Sequence, residues 1–67
     1  MLKIIGKEIK QPMKDQRLDQ YKRRYFELEL DRVALLANED TVGAEEVVKR
    51  MSAVEEAYNA VNKIDVD

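Results

Sequence analysis

The sequence predicts an all-α protein, an antiparallel two-helix hairpin with a short extended N-terminal arm, which associates with itself. Apolar residues recur at steps of three and four residues between Pro12 and Asn38, which indicates one long amphipathic helix. A second run with a seven-residue repeat follows from Ala44. Because only a short turn-like segment separates the two runs, the helices are expected to fold back antiparallel within one small domain, residues 1–67.

The N-terminal segment, residues 1–11, is predicted to be extended. Ile4, Ile5 and Ile9 are β-branched, and Gly6 disfavours a helix. A lone strand leaves its backbone donors and acceptors unpaired. Three arrangements are therefore open: pairing with the same segment of a second copy, an irregular arm along the first helix, or ordering only on a partner.

The first helix is predicted over residues 12–38. Pro12 suits a first helical turn, where its missing N–H is not needed, and Asn38 can take the left-handed conformation that ends helices. One face of this helix is expected to be buried against the second helix. Its residues are Leu18, Tyr21, Tyr25, Leu28 and Leu35.

The second helix is predicted over residues 43–63, with Asp40, Thr41 or Gly43 as its N-cap. Its apolar residues follow a coiled-coil-like heptad pattern. When the two patterns are aligned about the turn, large side chains of the first helix meet mostly small ones of the second, which favours close packing. The residues of this second pattern are Ala44, Val47, Met51, Val54, Tyr58 and Val61.

A second apolar stripe on the first helix is not needed by a simple hairpin. We expect it to contact another copy of the chain, with a dimer favoured, or an unidentified protein. Glu29 and Arg32 lie at its polar margin, where two interpretations are open. Their stems pack while their charged ends reach solvent, or they form ion pairs across an oligomer interface. The predicted interface comprises Phe26, Glu29, Leu30, Arg32, Val33, Leu36 and Ala37.

The size and composition of the chain favour association. A chain of 67 residues buries little core, and small folds commonly add disulfides, a metal or self-association. The sequence has no Cys and no His, which excludes disulfides and argues against a structural zinc site. Association is the route that remains.

The charge is divided along the chain. Residues 1–24 carry eight basic and three acidic side chains, net +5, whereas residues 25–67 carry four basic and eleven acidic ones, net −7. This asymmetry has two interpretations. The basic residues contact a nucleic acid, or they pair with carboxylates in the C-terminal half of the second helix. The candidate nucleic-acid contacts are Lys3, Lys7, Arg17, Lys22, Arg23 and Arg24.

Catalysis lacks its usual residues. There is no His or Cys, no Gly-rich phosphate loop, and Thr41 and Ser52 are the only aliphatic hydroxyls. We therefore expect no enzyme, no cofactor, no metal site and no catalytic residue. The longest apolar run is four residues, against the roughly 20 that span a membrane, so a cytoplasmic protein without a membrane partner is expected.

These observations predict a non-enzymatic protein–protein interaction or assembly protein that acts through an apolar helical face, as a homo-oligomer. Small Cys-free proteins of this type are common among phage and mobile-element products, which is a general frequency and not a property of any residue here. The alternative is a small nucleic-acid-binding regulator that uses the basic N-terminal third. A third possibility is an antitoxin-like inhibitor whose N-terminal arm orders only on its target.

Overall fold

The computed structural model describes residues 6–66 and shows two helices, α1 over Lys7–Ala37 and α2 over Thr41–Asn62. A three-residue turn joins them, and they pack side by side along one seam. The helical hairpin is therefore confirmed. The molecule measures 54 × 15 × 13 Å, and its radius of gyration of 16.2 Å exceeds the roughly 11 Å of a compact chain of this length. The hairpin is thus an elongated rod.

The predicted extended arm is wrong for residues 7–11, which form the first turn of α1. The helix begins five residues before the predicted start at Pro12, and Gly6 is its extended N-cap. Lys, Glu and Gln favour a helix. Pro12, the sixth residue of α1, is the least favourable residue of this segment, because it removes the backbone bond to the Glu8 carbonyl and its ring crowds that carbonyl. The part of the arm prediction that concerns residues 1–5 lies outside the described residues.

The core lies in the half of the hairpin nearer the turn. Leu28 is 1% exposed and forms a cluster with Val47 and Met51, against which Leu35 and Val54 pack. A large side chain on α1 meets medium-sized ones on α2, as the alignment of the two apolar patterns predicts. Every buried residue of the described chain lies on one of the two predicted seams; they are Leu18, Leu28, Ala44, Val47 and Met51.

The turn closes the C-terminus of α1 with a Schellman arrangement. The Asp40 N–H donates to the Leu35 carbonyl at 2.9 Å, and the Glu39 N–H donates to the Leu36 carbonyl at 3.0 Å. Glu39 has the left-handed conformation that this motif requires, with φ of 60°. Asn38, predicted for that role, has φ of −94°, so the left-handed residue is one position later.

The same turn begins α2. The Asp40 carboxylate accepts a hydrogen bond from the Gly43 N–H at 2.8 Å, which identifies Asp40 as the N-cap among the three candidates. The helix starts at Thr41, two residues before the predicted start, and ends at Asn62, one residue before the predicted end. Asp40 is thus the last residue of the turn and also the N-cap that accepts a backbone hydrogen bond from the first turn of α2.

The first turns of α1 extend past the end of α2. The two helices meet at the turn, but α1 has 31 residues and α2 has 22, so the difference of nine residues corresponds to about 13 Å. The Lys14 ammonium donates to the Ile64 carbonyl at 2.7 Å and fastens the end of the chain to α1. In the extension, Ile9 and Met13 are 47% and 59% exposed.

Candidate functional site

One side of α1 carries a continuous row of exposed apolar side chains. Phe26 is 61% exposed, Leu30 and Val33 are each 54% exposed, and Leu36 is 43% exposed. Ala37 is exposed as well. We call these five residues the apolar face; they are the apolar members of the predicted interface. An exposed row of this kind on a small protein marks a candidate contact surface.

The geometry of an α-helix explains why α2 cannot cover the apolar face. Residues two positions apart differ by about 200° around the axis, so Leu28 and Leu30 point to opposite sides of α1. α2 packs on the side that buries Leu28. Leu30 therefore faces away from the only helix that the described chain could place against it.

Glu29 and Arg32, at the polar margin of the apolar face, form an ion pair with each other. The Arg32 Nε donates to the Glu29 Oε1 at 2.6 Å, and the side chains are 32% and 37% exposed. This hydrogen bond and the carboxylate charge raise the pKa of Arg32 above its already high ordinary value, so the guanidinium stays charged at physiological pH. The pair joins two residues of one helix, in keeping with the interpretation in which the charged ends stay at the margin.

A groove adjoins the apolar face in the half of the hairpin away from the turn. Its volume is about 430 Å³, and the Lys22 ammonium lies 5.8 Å from the centroid of the Tyr58 ring. Since Lys22 and Phe26 are four residues apart, they lie on the same side of α1, and the groove continues into the apolar face. The residues that line the groove are Tyr21, Lys22, Tyr25, Val54, Glu55 and Tyr58.

The apolar pattern of the sequence predicts that all three tyrosines lie on the buried seam, and it does not predict the groove. Tyr21 and Tyr58 are only half-buried, and Tyr25 is 39% exposed. The signal was present in the aligned seams, which set Tyr21 opposite Tyr58. Tyr21 and Tyr58 both line the groove, so the two large rings do not interdigitate as complementary side chains would.

α2 adds one apolar side chain to the same side of the hairpin. Val48 is 46% exposed and lies seven residues, or two helical turns, before Glu55, which lines the groove. Residues at that spacing share a face of a helix. The groove, the apolar face and Val48 therefore form one continuous surface.

Arg23 and Arg24 do not pair across the hairpin as predicted. Arg23 pairs with Asp19 at 2.9 Å and Arg24 pairs with Glu27 at 3.5 Å, so both ion pairs lie within α1. Partners one helical turn away are within reach in any α-helix and need no precise docking between the helices. The prediction that these two arginines pair with the acidic half of α2 is wrong.

The candidate nucleic-acid contacts are not gathered on one face. Lys22, Arg23 and Arg24 are consecutive, so each points about 100° from the next around α1. Lys7 and Arg17 are exposed and lie ten residues apart on the same helix. Lys3 lies outside the described residues. The structure thus brings together the predicted protein contact surface and leaves the basic residues dispersed.

Two kinds of feature are absent from residues 6–66. No group of three or more acidic side chains there is placed to hold a metal ion, and neither helix is long and apolar enough to cross a membrane. The sequence matches no protein-family model, and neither a curated protein nor a solved structure matches it. The candidate functional site of this chain is therefore the apolar face with its adjoining groove.

Proposed function

We propose that this is a non-enzymatic protein–protein interaction or assembly protein, which acts through the apolar face as a homo-oligomer. The observation that carries the proposal is the apolar face itself. Phe26, Leu30 and Val33 are each 54–61% exposed on the side of α1 opposite α2, and Leu36, 43% exposed, lies at the edge of that side. Isolated exposed apolar residues are ordinary, but a row that spans three helical turns is typical of contact surfaces.

The total surface of the molecule supports the proposal. The hairpin exposes 5522 Å², whereas a compact monomer of 7.8 kDa exposes about 4400 Å². The excess is on the order of 1100 Å². A stable interface of ordinary size buries about 800 Å² on each partner. Association through one face would therefore give this chain the surface that is usual for its mass.

The small core of the hairpin also favours self-association. Only five residues of the described chain are buried, and a core in a chain this short contributes about 3–5 kcal/mol at most. A partner that binds only the folded hairpin stabilises it by mass action. We infer that the associated form is the more stable form of the protein.

The test is solution mass, measured by light scattering after size-exclusion chromatography over a hundredfold range of concentration. We expect a dimer for the parent and a monomer for Leu30→Glu, because a carboxylate in an apolar contact remains unpaired. Gln20→Glu, which adds the same charge at an exposed position of α1, is the matched control and should remain dimeric. Circular dichroism should show equal helicity in all three proteins.

Two results would contradict the proposal. If the parent is a monomer at every concentration, the apolar face is not a self-association surface. If Leu30→Glu loses helicity together with mass, Leu30 belongs to the fold rather than to a contact. High salt should leave the parent dimeric, whereas binding to nucleic acid would weaken with a log–log slope of about −0.9 per phosphate contact.

A further inference from the structure

We propose that the groove between α1 and α2 binds a small aromatic molecule that carries both an amino group and a carboxylate, the chemical class of a free aromatic amino acid. The inference goes beyond the proposed function, because it concerns a ligand and not a contact between proteins. It is drawn from the size and lining of the groove and from the two opposite charges in that lining.

The groove has the size and the lining of a small-molecule site. Its volume of about 430 Å³ falls in the range of roughly 300–1,000 Å³ that is usual for such sites. Val54 and three tyrosine rings make the lining mostly apolar. Aromatic rings pack favourably against one another in offset or edge-to-face arrangements. The lining therefore suits a flat aromatic ring.

Each wall of the groove carries one charged side chain. Lys22 lies on α1 and Glu55 on α2, and within residues 6–66 neither of them forms an ion pair or a hydrogen bond. The Lys22 ammonium lies 5.8 Å from the centroid of the Tyr58 ring, a contact that holds it beside the groove. Two opposite charges thus line one mostly apolar groove without neutralising each other.

The two charges determine the chemical class of the ligand. A ligand that enters the groove displaces water, and a charge that loses its hydration without gaining a partner is costly. A neutral ring would leave both charges in that state, and a simple anion or cation would attract one and repel the other. A zwitterion satisfies both, with its carboxylate beside Lys22 and its amino group beside Glu55.

The distribution of charge also limits the size of the ligand. The groove continues into the apolar face, but Glu29 and Arg32 at the margin of that face already pair with each other. The charges that await a partner are therefore those of the groove. This favours a molecule that fills the groove over a long peptide that would continue along α1.

The test uses L-tryptophan as the probe with the full chain. Because the sequence contains no tryptophan, excitation at the red edge of the indole absorption selects the ligand, and its fluorescence anisotropy rises when it binds. Titration with the protein should give a dissociation constant on the order of 1 mM, the scale for a molecule of about 15 non-hydrogen atoms.

Three analogues of the probe test the two charges separately. Tryptamine lacks the carboxylate, indolepropionate lacks the amino group, and indole lacks both. We expect tryptamine and indolepropionate each to bind about 3–5-fold more weakly than tryptophan, because ion pairs at exposed side chains contribute little. Indole should bind more weakly than either.

Two substitutions assign each charge to its wall. In Lys22→Met the preference for tryptophan over tryptamine should disappear, and in Glu55→Gln the preference over indolepropionate should disappear. Arg23→Met and Glu56→Gln remove the same charges from neighbouring positions that point about 100° away and do not line the groove, so both preferences should remain. Circular dichroism checks that every variant keeps the helicity of the parent.

Each outcome supports or overturns the inference. The predicted order of affinities, with each preference lost only in its own variant, supports it. Equal binding of the four probes, or loss of a preference in the Arg23 or Glu56 variant, overturns the zwitterionic class. No rise in anisotropy at protein concentrations several times the expected dissociation constant overturns the site. The solution mass of the protein is a separate measurement, so the proposed self-association can fail or hold independently of these results.

Discussion

The two halves of the hairpin share the same antiparallel geometry but are packed differently. In the half near the turn, Leu28 is 1% exposed between Val47 and Met51. In the open half, Tyr21 and Tyr58 line a groove and neither is fully buried. Both halves carry apolar residues at the seam positions. The difference shows that complementary size, rather than apolar character alone, closes a helical seam.

The ends of the helices show the same contrast. At the turn, Asp40 caps α2 and the carbonyls of Leu35 and Leu36 accept hydrogen bonds from the turn. At the other end, Gly6 provides no side-chain cap, and Pro12 removes a backbone donor within the first turns of α1. We conclude that stability is concentrated near the turn.

The largest expected effect is on the core of the turn half. Leu28→Ala should lower the free energy of unfolding by about 2–5 kcal/mol, because it leaves a cavity where α1 and α2 are in closest contact. Leu30→Ala, the same substitution two residues later on the exposed side, should cost less than about 1 kcal/mol. Urea unfolding at concentrations at which the parent is monomeric measures both. Equal losses would contradict the contrast between the two sides of α1.

Most of the packing could be predicted from the sequence, because the spacing of apolar residues determines which side of a helix is buried. Leu28, Val47 and Met51 lie on the predicted seams and are buried. The groove was not predicted because periodicity records that a residue is apolar, not whether it fits its neighbour. Whether Tyr21 and Tyr58 can pack together depends on the shapes of their rings, which the spacing of apolar residues does not record.

The N-cap of α2 should have the next largest effect. Asp40→Ala removes the acceptor of the Gly43 N–H and should lower stability by about 1 kcal/mol. Asp31→Ala, which removes a carboxylate from an exposed position in the middle of α1, should have little effect. Thermal unfolding followed by circular dichroism compares the two variants. If they are equally destabilised, the loss reflects charge and not the cap.

The ends of α1 could not be predicted as well as its middle. β-branched residues before Gly6 indicated a strand, and Pro12 indicated a break, yet residues 7–11 are helical. Pro12 is unfavourable inside a helix by about 3 kcal/mol, whereas Lys, Glu and Gln beside it are among the best helix formers, so local preferences alone do not determine where α1 begins. The apolar face, by contrast, was evident because its spacing extends over three turns.

A stabilising change is expected in the turn. Glu39 has φ of 60°, which is unfavourable for a residue with a Cβ atom, so Glu39→Gly should raise stability by about 0.5–1 kcal/mol. Asn38→Gly provides the control, because Asn38 has φ of −94° and gains nothing from glycine. Urea unfolding should show opposite signs for the two variants. A loss of stability in Glu39→Gly would mean that the side chain contributes more than the strain it causes.

The smallest effect is expected in the open half. The Lys22 ammonium lies 5.8 Å from the Tyr58 ring centroid, and such contacts at exposed sites contribute about 0.5–1 kcal/mol. Lys22→Met should therefore cost no more than that, and Lys22→Arg should retain most of the contact. A double-mutant cycle with Tyr58→Leu isolates the pair from the packing of each side chain. A coupling free energy well above 1 kcal/mol would show that this contact stabilises the open half as strongly as core packing stabilises the half near the turn. The two halves would then differ in the shape of their packing and not in stability.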